Sequence, residues 1–107
     1  MPTYLVTYHG GEGMPSTPEA RQQVEQAFGA WAATVGDSMI DPGAPLIAFQ
    51  TVSADSVAEG PAVGPVGGYT LLRANDVAAA VKLVQSHPFV QRGGSLQVSE
   101  AAVLGGG

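Results

Sequence analysis

The run from Gly67 to Val103, GGYTLLRANDVAAAVKLVQSHPFVQRGGSLQVSEAAV, constrains the fold more than any other part of the chain. Gly68 to Ala74 reads as a strand, and Asn75 suits the N-cap of a helix in which Val77, Ala80, Val81 and Val84 share one face. That helix has to stop before His87-Pro88, because proline drives its predecessor out of the helical region. Gly93-Gly94 then opens a last strand over Ser95 to Val103, where Leu96, Val98 and Ala101 alternate with Gln97 and Ser99.

The N-terminal half supplies the matching elements. Thr3 to His9 is a strand with Tyr4, Val6 and Tyr8 on one face and Leu5 and Thr7 on the other. Three glycines between Gly10 and Pro15 end it. Thr17 is placed as an N-cap, Pro18 as the first helical residue and Gly36 as the C-terminal cap, so the first helix covers about residues 18 to 35. Val24, Phe28, Trp31 and Val35 form its apolar stripe, and Gly29 beside Trp31 suggests close packing. Ser38 to Ile40 and Leu46 to Val52 are apolar, but Pro42 and Pro45 between them predict one bent edge strand or two short pieces. Ser53 to Gly64 is expected to be a loop or hairpin tip, and Gly105 to Gly107 a frayed tail.

The order βα, strand, strand, αβ is the ferredoxin-like plan, an α+β fold with a four-stranded antiparallel sheet, and 107 residues fit one domain over 1-107. Two helices with one stripe each cover a single sheet face. The other face needs a partner, and a homodimer pairing two sheets across a two-fold axis supplies it. Charged residues are 12% of the chain, against about 25% in typical soluble domains. A surface partly hidden in an oligomer is one cause of such a deficit, and a compositional bias towards Ala, Gly and Val is another.

Four scattered basic residues and a net charge of -5 argue against nucleic acid, which needs clustered Lys and Arg. No apolar run is long enough for a membrane span, and the first residues open straight into a strand, so the expectation is a cytoplasmic protein. Without cysteine there is neither a disulfide nor a thiolate metal site. No metal, haem, flavin or nucleotide motif is visible, and the Gly-rich loop lacks the lysine and spacing of a P-loop, so no cofactor is expected.

Tyr4-Leu5-Val6, Asp41-Pro42-Gly43, Glu59-Gly60-Pro61, Gly67-Gly68-Tyr69 and His87-Pro88-Phe89-Val90 followed by Gly93 to Val98 together resemble the YCII-related, or DGPF-domain, family. The resemblance implies membership of the dimeric α+β barrel superfamily: ferredoxin-like protomers joined sheet to sheet, each with a cleft between sheet and helices. It also implies a His and Asp pair as the active site. This chain departs from that pattern. Gln23, Val24 and Glu25 stand where the pattern has a histidine on the first helix, and His87 stands where it has an acidic residue.

The candidates are therefore taken from the residues present. His9, at the exit of the first strand, is a general acid or base, or else a strand-end residue bonded to a carbonyl. His87 ends the second helix, where the helix dipole would raise its pKa; it is a pocket residue or a plain helix terminator. Asp37 and Asp41 either orient an imidazole or serve their own turns. Trp31 and Tyr69 line a pocket, or pack in the core and the dimer sheet. Two functions follow: a cofactor-independent enzyme using His9 with Asp37 or Asp41 on a small organic molecule, or a noncatalytic homodimer holding a small ligand. A structural interaction domain is a third.

Overall fold

The computed structural model describes residues 1–11, 15–60 and 64–103. The elements run β1 (Thr3–Gly10), α1 (Pro18–Val35), a 3-10 turn (Gly36–Ser38), β2 (Met39–Pro45), β3 (Gln50–Val52), β4 (Val57–Glu59), β5 (Gly68–Arg73), α2 (Val77–Gln85), α3 (Pro88–Gln91) and β6 (Gly94–Glu100). β2, β5, β1 and β6 form, in that order, a four-stranded antiparallel sheet, and β3 with β4 makes a separate hairpin between β2 and β5. This is the α+β, ferredoxin-like plan that the order of sequence signals predicts. Among the described residues no helix is long and apolar enough to cross a membrane.

Both striped helices serve one sheet face. Val6, Leu72, Trp31, Val35 and Val84 form the main buried cluster, so β1 and β5 meet α1 and α2 there. The Trp31 indole N–H donates to the Leu83 carbonyl at 2.8 Å, which ties α1 to α2 and satisfies a buried donor. A second cluster of Tyr4, Ala74 and Ala80 closes the far end. α1 starts and ends as its sequence signals predict: Thr17 accepts from the Ala20 N–H, Pro18 is the first residue, and Gly36 sits at φ 59°.

Among the described residues the opposite face carries no helix. Register places Leu5 opposite Leu71, with Thr7 opposite Tyr69 and Gln97, and His9 opposite Ser95. The face is thus an apolar Leu5–Leu71 centre within a polar surround, more mixed than a purely apolar patch.

The structure corrects several local expectations. Asp76, not Asn75, caps α2, its carboxylate accepting from the Ala79 N–H at 2.8 Å. β2 is the irregular edge strand expected, but it continues through Pro42 and Pro45, because it pairs only with β5 and tolerates missing donors on its free edge. Its register slips on both sides of Asp41, and Gly43, at φ 74°, lies so close to the Tyr69 carbonyl that no side chain fits there. Leu46 to Phe49 lie outside any strand, and Ser53 to Gly60 are the tip and return of the β3–β4 hairpin. Gly29 is exposed with open space around it, so it marks no close packing. β6 ends at Glu100, short of Ala101 to Val103. The tail at Gly105 to Gly107 and most of the glycine loop, residues 12–14, lie outside the described residues.

Leu72 has no exposed surface and sits between both helices and β1. Leu72→Ala should lower unfolding free energy by about 2–5 kcal/mol in a denaturant titration, with the upper range expected if the cavity cannot collapse.

Candidate functional site

Strand alternation puts Tyr8 on the helix-covered face, beneath the corner between α2 and α3. Its hydroxyl lies 2.8 Å from Thr70 Oγ1 on β5 and 2.8 Å from His87 Nε2. Thr70 Oγ1 donates to the Pro42 carbonyl at 2.9 Å, and the Phe89 N–H donates to His87 Nδ1 at 2.9 Å. Donor accounting assigns every proton. Nδ1 accepts, so a neutral imidazole carries its proton on Nε2 and donates to Tyr8. Thr70 has spent its proton on a carbonyl, so Tyr8 donates to Thr70.

The chain is therefore polarised in one direction, from Phe89 through His87, Tyr8 and Thr70 to Pro42. It joins α3, β1, β5 and β2. It is a scaffold and no proton relay, because its last acceptor is a carbonyl and its first nitrogen holds a backbone N–H.

His87 caps α3 and is packed among aromatic rings, with the Trp31 ring centroid at 4.3 Å, Tyr8 at 5.0 Å and Phe28 at 5.7 Å. Only 3% of its surface is exposed. Burial first, and the Arg92 guanidinium second, push its pKa down from 6.5 to about 4. The expectation that the end of α2 raises it fails, since desolvation outweighs a helix terminus that acts within one turn. Burial raises the Tyr8 phenol, partly offset by the bond with Thr70.

Above this chain opens a cavity of about 420 Å³, within the ~300–1,000 Å³ typical of small-molecule clefts. Val24 and Phe28 of α1, Pro42 and Pro45 of β2, and Phe89 of α3 supply apolar walls. Gly94 allows the Phe89 ring to rest where a Cβ would stand. Glu25 and Arg92 are the charged residues among the described lining.

The residues singled out from the sequence are not gathered at this cavity. His87 and Tyr69 border it, although the register of Tyr69 with Thr7 also assigns it to the bare face. Trp31 packs against His87 as core, the two rings tilted by 48°. His9 lies on the bare face, bonded through Nε2 to Thr7 Oγ1 at 2.7 Å. Asp41 accepts from the Gly43 N–H at 2.8 Å, and Asp37 is exposed in the 3-10 turn. Neither aspartate is hydrogen-bonded to a histidine among the described residues. Among the same residues no cluster of three His, Cys, Asp or Glu can hold a metal. Tyr8, Glu25, Phe89 and Arg92 were not singled out from the sequence. Alternation places Tyr8 on the covered face, and Glu25 is one of three residues, Gln23 to Glu25, at the stretch where the YCII-like resemblance would put a histidine, but nothing linear connects Arg92 to them.

No protein-family model matches the chain. No curated protein sequence matches it either. Among solved structures it is similar to 5-chloro-2-hydroxyhydroquinone dehydrochlorinase from Burkholderia phenoliruptrix AC1100, in complex with 2,5-dihydroxybenzoquinone. The TM-score is 0.56 at 17% identity, over 94% of this chain and 93% of that one, a likeness of fold.

A depressed histidine makes stability acid-sensitive. Between pH 6.5 and about 4 the unfolded chain binds a proton at His87 that the folded chain does not. Stability contributed by the neutral ring is complete above pH 6.5 and is lost as pH falls towards 4. Denaturant titrations across that window should show a decline in the wild type that is reduced in His87→Asn, which keeps a cap for Phe89 but does not titrate.

Proposed function

We propose that this protein is a homodimer that binds a small organic molecule in the cavity between α1, the α2–α3 corner and the sheet, without chemistry at an imidazole. The observation carrying this reading is the pairing of a preformed apolar cavity with a histidine whose two nitrogens are already committed. A dehydrochlorinase of the same fold, captured with a dihydroxybenzoquinone, supports a single-ring molecule as the size class. YCII-related membership is supported by the short motifs quoted above, and His87 falls inside one of those stretches.

One observation favours a second reading, proton transfer on the bound molecule: Glu25 brings a carboxylate to the rim. His9, with Asp37 or Asp41, would serve such chemistry only if a partner subunit completed the arrangement.

Ligand-observed NMR with a set of single-ring aromatic compounds separates these. Binding without turnover is expected, lost in Val24→Trp, which fills the cavity, and unchanged in His9→Ala. No binding by the folded wild type overturns the proposal. Turnover that Glu25→Gln abolishes while binding persists replaces it with the second reading.

The dimer has its own support. The sheet face opposite the helices centres on Leu5 and Leu71, and a standard interface covers about 800 Å² per partner. Sedimentation should give twice the 10.8 kDa of one chain, and Leu5→Glu with Leu71→Glu should halve that mass. A monomeric wild type at micromolar concentration overturns it.

A further inference from the structure

Among the described residues one buried side-chain polar atom, Nε of Arg92, lacks a hydrogen-bond partner, and Arg92 belongs to the cavity wall. Its guanidinium carbon lies 5.8 Å from the centre of the Phe89 ring, so the cation rests beside an aromatic face that also borders the cavity. A buried N–H of a charged group left unmade costs more than a neutral one, because its hydration is gone and nothing replaces it. The buried Nε is itself closed to a bound molecule, so the rest of the guanidinium is what can meet a ligand, and an apolar cavity with that cation in its wall favours an oxygen bearing negative charge.

The neighbouring groups do not compete for that role. His87 is neutral and donates to Tyr8, and Tyr8 donates to Thr70, so neither offers a proton to a ligand. Arg92 is thus the cationic donor of the described lining, opposed by Glu25 of α1.

We propose that the ligand is a small organic anion, a flat apolar ring carrying an ionised oxygen as a carboxylate or an acidic enolic hydroxyl, with that oxygen bound by Arg92 and the ring held between Phe28 and Phe89. This rests on the cavity being a ligand site, and it names the ligand class of that site.

Calorimetric titration at pH 7 with two matched pairs tests it: benzoate against benzamide, and 2,5-dihydroxybenzoquinone against 2,5-dimethoxybenzoquinone. On the wild type the anion of a pair should bind at least about tenfold more tightly than its neutral partner, as a charge-assisted bond requires. A gap in the benzoate pair alone identifies a carboxylate, and a gap in the quinone pair alone identifies an enolic oxygen. Arg92→Gln should erase the gap while leaving the neutral compounds as they were, and Arg92→Lys should retain part of it. Far-UV circular dichroism confirms that both variants fold. Neutral compounds that bind as well as the anions overturn this inference and leave the cavity reading standing. A gap that survives in Arg92→Gln overturns the assignment to Arg92. No binding of any of the four compounds overturns the cavity reading together with this one.

Discussion

Segments far apart in the chain meet at one phenol oxygen. Tyr8 accepts from His87 and donates to Thr70, and Thr70 in turn closes on the Pro42 carbonyl of the irregular edge strand. Removing one partner from such a buried set typically costs about 1–3 kcal/mol, because the remaining group is left desolvated. The position of β2 is held by this set as well as by its ladder, which register slips interrupt. The α2–α3 corner depends on it too, because His87 both caps α3 and reaches the sheet.

The same bonds that position the corner remove its histidine from acid–base work. A ring that accepts a backbone N–H on one side and donates on the other gains rigidity and loses availability, and burial among Trp31, Phe28 and Tyr8 deepens the loss. The cavity over it is therefore shaped by neutral aromatic groups, and its charge comes from the rim. Phe89 links the two layers: its backbone N–H starts the polarised chain and its ring, seated over Gly94, forms cavity wall.

Much of the architecture was legible in linear signals. Thr17-Pro18 and Gly36 bounded α1, the stripe from Val24 to Val35 named its buried face, and alternation in Tyr4, Val6 and Tyr8 named the covered face of β1. Those signals are local, depending on one or two turns of chain. Pro42 and Pro45 marked β2 as an edge strand, which it is, but how far it runs and where its register slips were decided by its pairing with β5. Asp76 displaced Asn75 as cap by one residue, since both side chains are competent and only the approach of the chain to the helix selects between them.

The candidate site was far less legible. Residue type drew attention to His9, Asp37 and Asp41, yet a strand turns successive side chains to opposite faces, and His9 lies one step from Tyr8 on the wrong side for this cavity. Its chemistry was readable and its direction was not. Composition, periodicity and capping were enough to specify elements, their order and the face each buries, because these follow from preferences of neighbouring residues. Which imidazole is locked, which guanidinium keeps a buried Nε without a partner among the described residues and where a cavity opens depended on contacts across some 80 positions of sequence, such as Tyr8 with His87. Those are settled only when the sheet and helices close on one another.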